Sequence, residues 1–395
     1  MPDDEKPFLA GKNINGYYTY HLFINLSFWL PIYAIFFLDH GLTYGAILLL
    51  YAILNGSQTL MELPSGVLAD RWGRRPILML AALIQSVGYA LIAFGDTVYY
   101  FVPGMACLGI AFAFASGSDA AFIYDSLIAA GRADEFKRIE GRAYMYNLIG
   151  WGTAGLLGGF IAAQSLKMPF ILSAITSLMA LFIIGFCEEP PRLKKRITHR
   201  QLFIDALTLI RGNCRIRGII FLSAILYGLL LVCHKFSQPY LQAAHIPITW
   251  FGVIYFVWLI GAAMASNFSE KSESLLGRKT FFLLLPILSG GAILYLGWRQ
   301  DIIGAIIPLG YQFVWGALRP QMNQVINTEA TSDMRATVLS AAGFGSSIVY
   351  IITAPFIGMF ADRAGFENAL LLLGAAITVL GLAAAFRFLA CDKNR

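Results

Sequence analysis

Charge is what this 395-residue chain has least of. Asp, Glu, Lys and Arg make up 13% of it, against about 25% in an ordinary soluble domain. That is too little to cover a soluble surface of this size. Cysteine is scarce as well: the five residues are odd in number and none are in CxxC spacing, which suggests neither a disulfide framework nor a zinc site. A GxxxxGK[ST] phosphate loop is missing, as is HExxH, and no Ser/His/Asp grouping stands out. ATP hydrolysis and the common hydrolytic chemistries are thereby excluded; no enzyme activity, cofactor or metal is expected. The first residues, Met-Pro-Asp-Asp-Glu-Lys, lack the basic n-region of a cleaved signal peptide, so the first apolar segment is expected to stay as a membrane helix.

Apolar sequence is abundant: 58% of the chain. It falls into twelve segments that approach or exceed the ~20 residues needed to span a bilayer: 17–38, 43–64, 76–95, 99–127, 143–163, 168–187, 217–239, 249–268, 280–298, 302–326, 337–361 and 367–389. The expected fold is an all-α membrane protein of twelve transmembrane helices. Lys and Arg set its orientation. One set of loops carries Arg71, Arg74, Arg75, Arg132, Lys137, Arg138 and Arg142, then 192–215 and 271–279; the opposite loops hold little beyond Lys167, Arg299 and Arg363. The basic loops and both termini are expected in the cytoplasm of a bacterial-type inner membrane. The net charge of +6 then serves topology and lipid anchoring, and no nucleic-acid partner is implied.

Residues 188–216 form the longest non-apolar stretch. They are read as a cytoplasmic linker between an N-terminal six-helix bundle, 1–187, and a C-terminal one, 217–395, with 199–211 patterned as an interfacial helix. The halves echo each other. Leu276-Gly277-Arg278-Lys279 follows segment 8 as Trp72-Gly73-Arg74-Arg75 follows segment 2, and Arg335-Ala336 opens segment 11 as Arg142-Ala143 opens segment 5. Two pseudo-symmetric bundles are a transporter architecture.

Residues 66–75, Gly-Val-Leu-Ala-Asp-Arg-Trp-Gly-Arg-Arg, read as a tight basic hairpin between segments 2 and 3. Gly66, Asp70, Arg71, Gly73, Arg74 and Arg75 resemble the helix 2–3 loop of the major facilitator superfamily. Two further stretches resemble the same family: 116–127 followed by Glu140-Gly141-Arg142, and 335–340. Ala154-Gly155-Leu156-Leu157-Gly158-Gly159 matches in part the helix-5 motif of its drug–proton antiporters, without the proline. The resemblance implies a secondary transporter of the bacterial exporter-like branch, working by alternating access as a monomer. It also implies a gate: the loop aspartate Asp70 near the start of helix 11, and Arg74 reaching Asp125 at the end of helix 4. Glu62, beside the loop, joins this gating set.

Charges inside a membrane are costly and usually functional. Asp119 is the candidate protonation site; the alternatives are a permanent partner of Arg319 or a cap on a broken helix. Arg319 shares one face of segment 10 with Gln312, Gly316 and Asn323. It is either a fork for a substrate carboxylate or phosphate, or a structural or snorkelling residue. Asn25, Tyr227 and His234 complete the candidate substrate set, although His234, Lys235 and His21 also read as interfacial. Trp29, Trp151, Trp258 and Trp315 are candidates to line an apolar cavity. The expected activity is proton-coupled export of an organic solute, drug-like or an anionic metabolite such as a carboxylate siderophore. Proton-linked uptake of a small metabolite is the alternative; a non-transporting receptor or scaffold is a third reading, disfavoured by Asp119 and Arg319.

Overall fold

The computed structural model describes residues 10–191, 199–331 and 334–392, and all of its regular elements are helical. The chain divides into two compact units, Met1–Phe36 with Ile53–Lys195 and Phe37–Ala52 with Arg196–Arg395. Helices α1 (Ala10–Ile24), α2 (Tyr33–Asp39), α3 (Tyr44–Trp72), α4 (Arg74–Phe94), α5 (Val98–Ala115), α6 (Ser118–Ala129), α7 (Phe136–Ala162) and α8 (Met168–Gly185) come first. They build the first unit, except that the division passes through α2 and α3. The second unit holds α9 (His199–Gly212), α10 (Cys214–Ala243), α11 (Phe251–Leu276), α12 (Arg278–Trp298), α13 (Pro308–Glu329), α14 (Arg335–Ala364) and α15 (Phe366–Asp392).

All twelve expected apolar segments are helical, and ten stretches are long and apolar enough to cross a membrane. The other two are segment 1, which is broken, and α7, whose first turns carry Lys137, Arg138, Glu140 and Arg142. Large apolar side chains such as Leu60, Phe94, Phe182, Phe356 and Val379 are more than half exposed. In water such a surface would aggregate; against lipid tails it is the expected outer face.

Four boundaries differ from the sequence reading. Segment 1 is not one helix: it stops at Ile24 and resumes at Tyr33. Pro31 lacks an N–H, and the intervening turns carry short-range bonds such as Ile32 N to Trp29 O, 3.1 Å. The freed backbone groups find side chains instead, as groups away from water must. Phe28 N–H donates to Ser173 Oγ at 3.0 Å, and Gln85 Nε2 donates to the Ile24 carbonyl at 3.0 Å. Segment 4 is likewise split, into α5 and α6, at Ser116-Gly117, where Gly117 takes φ 75°. Segment 5 starts two turns early, at Phe136 rather than near Arg142.

The fourth difference is the hairpin at 66–75. Helix α3 runs on through Trp72, so Gly66, Asp70 and Arg71 are helical and the turn is Gly73 alone. Its φ of 106° lies where a side chain is strained. Gly277 joins α11 to α12 in the same way at φ 76°. The sequence echo between 72–75 and 276–279 is therefore a shared one-glycine junction.

Within the first unit, α4 packs on α5 and α8, and α1 on α7 and α8; within the second, α12 packs on α15, α11 on α13, and α10 on α14 and α15. Small residues permit this. A Cβ on Gly88 would lie 2.9 Å from the Gly104 carbonyl, and one on Gly290 2.8 Å from that of Gly374. Close backbone approach of this kind drives helix association where lipid removes the hydrophobic incentive.

Candidate functional site

The first unit holds a polar cluster inside an apolar shell that includes Tyr17, Tyr20, Leu78, Phe122 and Ile139. It is assembled from α1, α6 and α7. The break at Gly117 starts α6 with Ser118 and Asp119, and Asp119 Oδ1 accepts the N–H of Ala120 at 2.7 Å. A carboxylate at a helix N-terminus is favoured by the helix dipole. The other carboxylate oxygen lies 3.9 Å from His21 Nε2, on a ring that is 4% exposed. That nitrogen has no hydrogen-bond partner among the described residues, while His21 Nδ1 lies 2.8 Å from Asn147 Oδ1. Asn25 Nδ2 donates to the same Asn147 oxygen at 2.7 Å and to the His21 carbonyl at 2.8 Å. One helical turn before His21, Tyr17 donates to Glu140 Oε2 at 2.8 Å.

His21 is thus a buried member of this cluster and not an interfacial residue. Tyr17 and Asn147 were not singled out from sequence, and Glu140 was noted only within the stretch Glu140-Gly141-Arg142. Their signal was there: Tyr17 and His21 are four apart, and Glu140 and Asn147 seven apart, so each pair shares a helix face.

At the α3–α4 junction of the same unit, Arg74 Nη2 meets Asp70 Oδ1 at 2.8 Å, and its Nε lies 3.8 Å from Asp125 Oδ2. Arg74 thus reaches both Asp70 and Asp125; the approach to Asp125 is the one the family resemblance implied. Glu189 is the unforeseen partner: its two oxygens accept the N–H groups of Arg74 and Arg75 at 2.8 Å each. It caps α4 and fills the space a side chain at position 73 would need. Arg75 turns away from the cluster and donates to the last carbonyls of α8, Ile184 and Gly185. Arg71 and Glu62 are exposed, and a Cβ on Gly66 would meet nothing within 4 Å. In the neighbouring α6–α7 turn, a hydrogen bond from Arg132 holds the Glu135 carboxyl below its ordinary range.

In the second unit Arg319 is exposed on α13, and no hydrogen bond or ion pair joins it to other described residues of its unit. Gln312 and Asn323 are half-buried. Gly316 does not share an open face with them: it is buried, its hydrogen side pressed on the Ala262 carbonyl of α11. The Tyr227 ring lies tilted against that of Trp315, centroids 5.1 Å apart, and its hydroxyl donates to the Trp315 carbonyl at 3.2 Å. About two turns on, the His234 ring lies 5.4 Å from that of Tyr255, which also bonds Ser237 at 2.7 Å and Gln238 at 3.3 Å. Lys235 does not snorkel; its ammonium sits 3.7 Å above the ring of Tyr51, a cation–π contact. Trp29 and Trp258 are core residues, donating to Tyr89 Oη and the Ala305 carbonyl at 2.9 Å each. Trp151 remains exposed, and Trp315 is half-buried beneath Tyr227.

A second charged cluster, absent from the sequence reading, closes one end of this unit. Arg215 bridges Glu329 at 2.8 Å and Asp392 at 2.5 Å, and Arg278 bridges Asp392 and Glu273 at 2.5 Å each. It ties α10, α11, α12, α13 and α15 together. Arg278 follows Gly277 as Arg74 follows Gly73, so both one-glycine junctions end in an arginine ion pair.

The Major Facilitator Superfamily profile matches residues 18–349. Tetracycline resistance protein, class B, of Escherichia coli is 24% identical over 270 residues, which cover 64% of this chain and 65% of that one. Quinolone resistance protein NorA of Staphylococcus aureus is 22% identical over 208 residues, 53% of each chain. The matched stretches span less than two-thirds of these relatives' own lengths. Among solved structures, nucleoside transporter NupG superposes with a TM-score of 0.78 at 16% identity, over 97% of this chain and 99% of that one. A D-xylose-proton symporter does so with a TM-score of 0.71 at 15% identity, over 97% of each. A profile that matches most of the length, on a fold shared with solved carriers, identifies the chain as a multi-pass transporter belonging to the Major Facilitator Superfamily.

Proposed function

We propose that this transporter exports an organic solute from the cytoplasm, by alternating access, in exchange for protons. The observation that carries the coupling is the cluster around Asp119. Its carboxylate faces a buried imidazole nitrogen that has no hydrogen-bond partner among the described residues, amid groups otherwise bonded to one another. A proton taken up by Asp119 removes the charge that His21 faces, while Asn147 still holds the ring. The cluster then switches between two electrostatic states without unfolding.

The outward direction is supported by relatives whose names record resistance to tetracyclines and quinolones; a membrane carrier confers resistance by moving the compound outward. The structural neighbours, at 16% identity or less, inform the fold and not the direction. Arg319 narrows the solute class. An exposed guanidinium on a membrane helix, with no ion pair to the described residues of its own unit, suits a solute that brings an anionic oxygen. A drug-like organic anion fits both observations. Gln312, Asn323, Tyr227 and His234 in the second unit, and Asn25 in the first, are the proposed polar contacts. Asp70, Arg74 and Asp125 are the proposed gate, supported by Glu189.

Asp119→Asn tests the coupling. The amide keeps the shape of the site and cannot titrate. Gradient-driven accumulation in everted vesicles should be lost, while downhill exchange of labelled solute persists. A mutant that still accumulates solute against its gradient at the wild-type level would remove Asp119 from the mechanism.

A further inference from the structure

We propose that Cys214 and Cys391 are a reversible thiol–disulfide site, oxidised by low-molecular-weight disulfides, that staples α10 to α15. The two sulfurs are bonded across 177 residues of sequence, with Cα atoms 5.7 Å apart. That Cα spacing is the common one for a disulfide and also accommodates two thiols. The link joins the first turn of α10 to the last turn of α15. The other three cysteines are unpaired, with Cys187 and Cys233 buried and Cys107 half-buried. Cys214 is the exposed member of the pair.

The surroundings suit exchange chemistry. Asn213 caps α10 by accepting the N–H groups of Arg215 and Ile216 at 2.9 and 3.1 Å, so Cys214 opens a capped helix. Arg215 and Arg278 bring two guanidinium groups beside the pair and are themselves paired with three acids, Glu329, Asp392 and Glu273. A helix N-terminus favours the thiolate and exposure admits a partner, whereas buried cysteines are inert. A cavity of 470 Å³ lies beside both sulfurs, lined also by Leu209, Asn213, Glu329 and Asp392. It has room for a small peptide disulfide.

The reaction balances as two exchanges. The Cys214 thiolate attacks one sulfur of the small disulfide, forms a mixed disulfide and releases one small thiolate. Cys391 then attacks the Cys214 sulfur, closing the protein disulfide and releasing the second. Two electrons pass from the protein to the small disulfide, and the two thiol protons leave with the released thiols. A reducing thiol reverses both steps. The assignment of this end to the cytoplasm, a reducing compartment, rests on the charge-based orientation. There the resting form is the dithiol, and the disulfide marks oxidative conditions. Once closed, it holds the α10–α15 junction independently of the Arg215–Asp392 ion pair.

The test uses the full chain in membranes, treated with oxidised glutathione or with dithiothreitol, then alkylated and mapped by peptide mass. Cys214 and Cys391 should lose their labels together in oxidised glutathione, yield one cross-linked peptide, and regain both labels on reduction. The purified wild-type chain should melt at least about 3 °C higher when oxidised, and Cys391→Ser should show no such rise. Persistent labelling of both residues in oxidant, glutathione adducts without the cross-link, or a cross-link with no rise in melting would each overturn the proposal. An impermeant maleimide separates this from the orientation. Labelling in everted but not right-side-out vesicles is expected; the reverse pattern would contradict the cytoplasmic placement and with it the small-disulfide oxidant.

Discussion

Arg319 stands exposed on α13, one residue before Pro320, with no ion pair to the described residues of its own unit. If it holds an anionic solute through two hydrogen bonds, Arg319→Lys keeps the charge and loses the fork. One lost charge-assisted bond is worth about 1.5–3 kcal/mol, roughly 10- to 150-fold in affinity. Arg319→Ala should lose more, and only for the anionic member of a matched anionic and neutral pair. Titration calorimetry on both solutes checks this; equal losses would make Arg319 a structural residue. Arg319 and Asp119 were legible because a charge inside an apolar run is costly. Other members of the Asp119 cluster were not: His21 lies close enough to a segment end to read as interfacial, Glu140 was read only as part of a family-like stretch before segment 5, and only the fold shows that both point into the α1–α7 contact. Tyr17→Phe isolates that contact, deleting one hydrogen bond to Glu140. It should destabilise the protein by about 1–3 kcal/mol and leave the pH dependence of transport unmoved. A shifted pH profile would extend the proton site to Glu140.

Helix boundaries carried more information than the apolar pattern revealed. The pattern located every helix but not the break after Ile24, because apolar residues fill the break and its freed backbone groups are served from α4 and α8. Ser173→Ala leaves Phe28 N–H without its acceptor. The expected cost is about 1–3 kcal/mol, read as earlier exchange of that amide and lower thermal stability. The 66–75 hairpin was recognised by its residues but drawn as a loop, since two prominent glycines and a run of charges resemble one. Only Gly73 turns the chain. Gly73→Ala faces a φ of 106° and a collision with Glu189. Strain of this kind costs about 1–3 kcal/mol. Expression and melting should therefore fall in Gly73→Ala, whereas Gly66→Ala, with open space around it, should melt like wild type. The opposite ranking would misplace the turn.

At the scale of the molecule, two units each carry an arginine-centred cluster after a one-glycine junction, Arg74 in the first and Arg278 with Arg215 in the second. The repeat at 72–75 and 276–279 foretold the junctions, but not the acids that complete them, because Glu189, Glu329 and Asp392 lie far away in sequence. If the first cluster is a gate, Asp70→Asn should depress transport and shift the resting population without lowering the melting temperature, since Asp70 is half exposed. Wild-type flux in that variant would free Asp70 from gating. The central claim, proton-driven export, is tested most directly in everted membrane vesicles from cells expressing the carrier, with drug-like organic anions supplied outside. With the interior acidified by respiration, at least one such solute should accumulate inside, and an uncoupler should release it. Accumulation that survives the uncoupler, or uphill movement of solute only in the opposite direction, would contradict the account.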